Sequence, residues 1–153
     1  YIEARGTSEI AVRGDLRPTI DNAYDLGTSA LRYNDVFATS GVVNTSDVRM
    51  KKDIEPIPYG LTEVMKMNPV RFNWKETNKD KPKLGLLAQD LLPLINEVVV
   101  THNWEASEED DTQGELVELD RLGVYYSDLI PVLIQAIQDL KMEVDDLKAQ
   151  LNK

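Results

Sequence analysis

The chain has 153 residues, 42% of them hydrophobic, and its 27 Asp and Glu outweigh 17 Lys and Arg for a formal net charge of −10. That acidity argues against nucleic acid or anionic membrane as a partner, because displacing counterions from a phosphate surface takes clustered Lys and Arg. With no Cys and a single His, His102, disulfides, thiolate metal sites and multi-histidine centres are excluded. No metal or cofactor is expected, and any catalysis rests on hydroxyl, amine or carboxylate groups.

No apolar run is long enough to span a bilayer, and the strand-like start at Tyr1 does not read as a signal peptide, so the chain is expected to be the C-terminal part of something longer. Residues 1–45 read as β. Ile2 and Ala4, Ile10, Val12 and Leu16, then Val36, Phe37, Val42 and Val43 form short runs separated by Gly6, Gly14, Pro18, Gly27 and Gly41, which suit turns. Such strands are too sparsely apolar to make a core alone. They either borrow apolar area from partner chains, as in an intertwined β-stem, or form a small meander on the following domain.

Residues 55–104 read as a small mixed α/β core. Tyr59 to Met67 carries apolar residues at helical spacing and ends at Asn68-Pro69, since the residue before a proline is pushed out of the helical region. Val70 to Trp74 alternates as a half-buried strand. After a polar turn from Thr77 to Pro82, Leu84 to Leu92 is apolar, with Pro93 limiting any helix, and Val98 to Val100 is a further short strand. Between 105 and 120 lie Glu105, Glu108, Glu109, Asp110, Asp111, Glu115, Glu118 and Asp120. A calcium loop lacks the Asp, Asn and Gly spacing it would need, and a solvated acidic loop is expected instead.

The C-terminus has the clearest period. Ile130, Leu133, Ile137, Leu140, Val144, Leu147 and Leu151 advance in steps of three and four, placing them at positions a and d of a coiled coil over about 128–152. Ser127 is positioned to cap this helix, Pro131 falls in its first turn, and Glu143 at g can pair with Lys148 at e of a parallel partner. The alternative is an amphipathic helix docked on its own domain. β-Branched residues at a with Leu at d formally favour two strands over three.

At the junction of the β-type and helical regions, Ser46 precedes Lys51 by five residues. A Ser/Lys dyad needs a neutral lysine that takes the hydroxyl proton as the oxygen attacks a carbonyl. The reference lysine pKa is about 10.4, so burial or neighbouring positive charge must depress it. Arg49 and Lys52 would supply such charge, and Asp47 and Asp53 would oppose it. Five steps along a helix rotate about 140°, and an odd separation along a strand points to opposite faces. Ser46 and Lys51 therefore meet only if the chain turns between them or if they come from different subunits. The plain alternative is Ser46 as a turn or capping residue beside a solvated basic patch.

The run Thr45-Ser46-Asp47-x-Arg49-x-Lys51-x-Asp53-Ile54, then Asn68-Pro69-Val70-x-Phe72-x-Trp74, Gly85-Leu86-Leu87-Ala88-Gln89-Asp90, and Tyr126-x-Asp128-Leu129-Ile130 before the heptads, resembles the self-cleaving C-terminal intramolecular chaperone domain of phage tailspikes and tail fibres. That domain occurs in endosialidase tailspikes and phage neck-appendage proteins, and a related one occurs in myelin regulatory factor. Upstream, Asp21-Asn22-Ala23-Tyr24-Asp25-Leu26-Gly27 through Leu31-Arg32-Tyr33-Asn34-Asp35-Val36-Phe37-Ala38 is similar to the segment that commonly precedes it.

The resemblance implies an α+β protein: an intertwined β-stem end over 1–45, then a chaperone and autoprotease domain over 46–153 whose C-terminal helix forms a trimeric coiled coil. It implies a homotrimer whose folding client is its own N-terminal stem. It also implies a single-turnover serine peptidase, with Ser46 and Lys51 as catalytic dyad and the Thr45-Ser46 bond as cleavage site. The implied location is a virion precursor assembled in host cytoplasm, from which the domain is released. Gln89 is considered as an oxyanion donor or as a buried structural hydrogen bonder. The competing expectation is a non-catalytic trimeric fibre tip or receptor-binding adhesin, with Trp74 and Trp104 marking its surface or packing in the core.

Overall fold

Tyr1–Val36 forms one compact unit and Phe37–Lys153 another. The computed structural model describes residues 2–5, 9–75, 81–106 and 114–152. In the first unit, β1 (Ile2–Arg5) and β2 (Glu9–Val12) form an antiparallel hairpin in register from Ile2 with Val12 to Arg5 with Glu9. Beyond it the chain turns without regular structure. Thr28 and Leu31 bond each other at 3.0 and 2.9 Å, beside Gly27 at φ +88°. The β expectation therefore holds to Val12 and not beyond. Leu16, Val36, Phe37, Val42 and Val43 lie outside strands and are exposed. A strand exists only as half of a hydrogen-bonded ladder, and among the described residues no neighbouring strand flanks these segments.

The second unit is mixed α/β with small sheets and one long helix. Its elements in order are α1 (Leu61–Val64), β3 (Val70–Phe72), β4 (Lys83–Gly85), α2 (Ala88–Leu91), β5 (Val99–Ala106), β6 (Gly114–Val124) and α3 (Leu129–Leu151). β3 pairs antiparallel with β4, with Val70 and Phe72 turned inward and Arg71 outward, as the alternation predicts. α2 stops short of Pro93. β5 and β6 form a long hairpin from Val99 with Val124 to Ala106 with Gly114, with a register shift between Val100 and His102.

β6 corrects the loop expected over 105–120. Half-buried Val117 and Leu119 alternate with exposed Glu118 and Asp120, so a strand carries its carboxylates on the wet face. Glu108 to Asp111, and residues 77–80 of the expected turn, lie outside the described residues, as does the side chain of Trp104. Among the described residues no group of three His, Cys, Asp or Glu is placed to hold a metal, and no helix is long and apolar enough to cross a membrane.

The core gathers Ala88 and Leu91 of α2, Ile95, Val98 and Val99 after it, and Leu129 and Val132 of α3. Leu91, Ile95 and Val132 are each 1% exposed. α3 adds a polar anchor. Asp139 Oδ2 accepts the Leu61 N–H at the start of α1 (3.0 Å), and Asp139 Oδ1 accepts from Gln135 (2.8 Å). These bonds hold the Asp139 carboxyl below its ordinary value. A Cβ on Gly60 would collide with that carboxylate, so a larger residue there would displace Asp139 from the Leu61 N–H.

α3 runs within one residue of the expected span, but its buried residues are not the heptad residues. Leu129, Val132 and Ala136 face the core, while Ile130, Leu133, Ile137, Leu140, Val144, Leu147 and Leu151 are exposed. At 100° per residue the two stripes are centred roughly 75° apart. Ser127 does not cap the helix. Its hydroxyl donates to Asp128 at 3.1 Å, and Asp128 takes the N-cap position without a side-chain bond. The third helical residue is Pro131, which lacks the N–H that a capping side chain would accept.

Candidate functional site

Between Ser46 and Lys51 the chain makes one 3-10 turn, Val48–Met50. Met50 N donates to Asp47 O at 3.0 Å and Lys51 N to Val48 O at 3.1 Å. A tight turn of about three residues returns the chain on itself, and Lys51 Nζ donates to Ser46 Oγ at 2.7 Å. Of the two ways the pair can meet, the chain therefore takes the turn, within a single subunit. Ser46 and Lys51 are both exposed, and neither lines the open cleft of about 430 Å³ formed by Pro56 to Glu63 with Gln135 and Asp139.

The capping residue is Asp47 rather than Ser46. Asp47 Oδ1 accepts the backbone N–H of Arg49 at 2.9 Å, and its carboxylate also takes the Arg49 guanidinium, at 3.0 and 3.1 Å to Nε and 2.5 Å to Nη2. The Arg49 side chain, with its backbone N–H second, holds the Asp47 carboxyl below its ordinary value, and Asp47 raises Arg49 in return. Arg49 is thus charge-matched by Asp47, which alters its expected part as a positive neighbour of Lys51. The sequence signal for the cap was present: an Asp that accepts from the N–H two residues on is a common turn device. Asp53 closes the segment in the left-handed region at φ +52°, which Asp tolerates better than most residues.

Thr45 precedes the turn outside any helix or strand and is exposed. Gln89 is exposed on α2, whose inward face is taken by Ala88 and Leu91, so the buried hydrogen bond considered for it is corrected. Trp74 is half-exposed and stands edge-on to Phe72, with centroids 5.2 Å apart at 88°. Tyr126 reaches across to β4 and α2. Its hydroxyl accepts the Leu86 N–H at 2.8 Å, and a Cβ on Gly85 would lie 2.6 Å from that oxygen.

Residues 46–100 match a peptidase family model described as chaperone of endosialidase. The resemblance of this stretch to that family is thus shown, and the match begins at Ser46. Along 138 residues the chain is 28% identical to side tail fiber protein pb1 of Escherichia phage T5, covering 74% of this chain and 10% of that protein. The chain thus spans about a tenth of that relative's length.

Proposed function

We propose that this chain is the end of a phage tail fibre or spike whose residues 46–153 trimerise, template the folding of the preceding stem, and then cut themselves free at Thr45-Ser46. The observation that carries the reading is the 2.7 Å bond from Lys51 Nζ to Ser46 Oγ at the first residue of the family match. A tail-fibre client is supported by the T5 relative, itself named as a side tail fiber protein.

Trimerisation is supported by the surface the single chain leaves open. It includes large apolar side chains such as Ile137 and Leu151, 67% and 86% exposed. The heptad stripe of α3 is part of that surface. The a/d residue types favour two strands, and a short coil yields to the symmetry of the domains it joins.

In the reaction, neutral Lys51 takes the proton of Ser46 Oγ as that oxygen attacks the Thr45 carbonyl carbon. The Thr45-Ser46 C–N bond breaks, the amine leaves with a proton, and Thr45 is held as an ester on Ser46. Water then hydrolyses the ester to a Thr45 carboxylate and the free hydroxyl. The alternative route has the pair activate water for direct attack. Assembly that covers this exposed pair supplies the desolvation a neutral lysine requires, so cutting waits on correct association.

The test is denaturing electrophoresis and mass spectrometry of the chain. The wild type should give fragments 1–45 and 46–153. Ser46→Ala should stay whole, and Lys51→Ala should slow cleavage by about 10²- to 10⁴-fold, the usual scale of a general base. Hydroxylamine separates the routes, since only the ester leaves a hydroxamate on Thr45. A wild-type chain that assembles and never splits favours the second reading, a non-catalytic fibre tip or receptor-binding adhesin, for which half-exposed Trp74 beside Phe72 is the surface feature.

A further inference from the structure

We propose that Asp47 and Arg49 are positioning residues, a side-chain latch that holds the turn closed so that Lys51 stays on Ser46. The proposal rests on the self-processing reading above. Among the described residues little else fixes this turn. Val48–Met50 has no buried residue, Val48 and Met50 are 67% and 78% exposed, and only two backbone bonds close it. Turns of this kind have poor hydrogen-bond geometry and are short-lived without support.

Asp47 supplies that support from one carboxylate. It caps the turn through the Arg49 N–H and grips the Arg49 guanidinium through both oxygens. The planar guanidinium suits this two-point grip, which a lysine ammonium does not reproduce. Ser46 and Lys51 sit immediately outside the latched segment, one at each end. Their separation is therefore set by whether the turn is closed. Because the two latch charges lie against each other, their combined field at Lys51 is small, and the latch acts on geometry rather than on the basicity of the lysine.

The experiment compares cleavage rates of the 153-residue chain as wild type, Asp47→Ala, Asp47→Asn, Arg49→Ala and the Asp47→Ala/Arg49→Ala double variant. Loss of a capping side chain corresponds to about five- to tenfold in the population of the capped turn. Asp47→Ala should slow cleavage by about that factor and Arg49→Ala by less. The double variant should be no slower than Asp47→Ala, because both act through one contact. Asp47→Asn should fall between Asp47→Ala and wild type, since its amide oxygen still accepts the Arg49 N–H.

Two readouts separate positioning from other roles. The pH midpoint of the rate should be unchanged in Asp47→Ala; a shift to lower pH would mean that the freed Arg49 charge acts on Lys51 directly, and would overturn the proposal. In an uncuttable Ser46→Ala background, Asp47→Ala should leave the thermal midpoint unchanged; a fall matching the loss of rate would make the role merely structural. Wild-type cleavage rate in Asp47→Ala also overturns it. Cleavage that survives Ser46→Ala, or a wild type that never cuts, sinks the self-processing reading instead. The latch is then still judged by NMR on uncut chain: the Ser46–Lys51 side-chain contact should weaken in Asp47→Ala, and its persistence refutes the latch.

Discussion

At the scale of single residues, the join between Gly85-Leu86 and Tyr126 shows how two distant stretches of sequence become one contact. Tyr126 opens the turn into α3, and its hydroxyl accepts the Leu86 N–H at 2.8 Å just before α2. Gly85 is the residue over which the phenol passes; an added Cβ would lie 2.6 Å from the hydroxyl and 3.2 Å from the Phe72 ring. Tyr126→Phe removes the acceptor and should lower stability by about 1 kcal/mol. Gly85→Ala should cost a similar amount, because the methyl displaces the same hydroxyl. The double variant should therefore cost clearly less than the sum of the two. Denaturant unfolding of the three variants checks this, and strict additivity would mean that glycine serves another purpose here. At this scale half of the candidate arrangement is legible in the order of residues. The spacing of Ser46 and Lys51 showed that a turn or a second subunit had to intervene, whereas the pairing of Arg49 with Asp47 depends on a backbone geometry that residue types alone do not specify.

Among the elements, α3 was the most legible and also the most instructive. Its span followed from apolar period and from Pro131, which a first turn tolerates. Periodicity does not say which stripe meets which surface. Val132 and Ala136 joined the core, and the more regular stripe from Ile130 to Leu151 was left exposed. Both stripes are apolar, so the helix presents one face to its own domain and leaves a second apolar face uncovered in the single chain. β5 and β6 were underestimated because their residues include many carboxylates, and the ladder between strands, invisible in composition, holds them. The segment from Leu16 to Val43 was overestimated, because apolar residues between glycines form strands only where a neighbouring edge is present. The two faces of α3 give a paired prediction. Ile137→Asp, at an exposed seam position, should abolish self-association in sedimentation and leave the helical content of the chain in place. Ile95→Ala, in the core, should cost about 2–5 kcal/mol and leave association intact in the folded fraction. An Ile137→Asp chain that still assembles would show that the seam is not the interface.

For the whole molecule, the exposed seam of α3 and the position of the Ser46–Lys51 pair support the same proposed order of events. Strands that must pair between chains form slowly, because distant segments are brought together before any contact rewards them. Their exposed edges aggregate meanwhile. A domain that associates first through a helix holds the preceding stem ends together at high effective concentration, which shortens that search. Once the stem has formed, the template contributes little to the contacts within it, but while attached it offers a route for re-threading the stem after any local opening. On the proposed function, cutting at Thr45-Ser46 removes that route. The equilibrium between folded and unfolded stem then matters less than the rate of escape from the folded state, which is the condition for kinetic stability. The cut assembly should accordingly unfold more slowly than the uncut Ser46→Ala assembly, equal rates overturning the idea, and should fail to refold after denaturation where the uncut assembly recovers. Unfolding and refolding of both forms, followed in parallel at one temperature, decides it. Equal recovery of the cut and uncut forms would show that the domain is dispensable as a template and that release has no kinetic consequence.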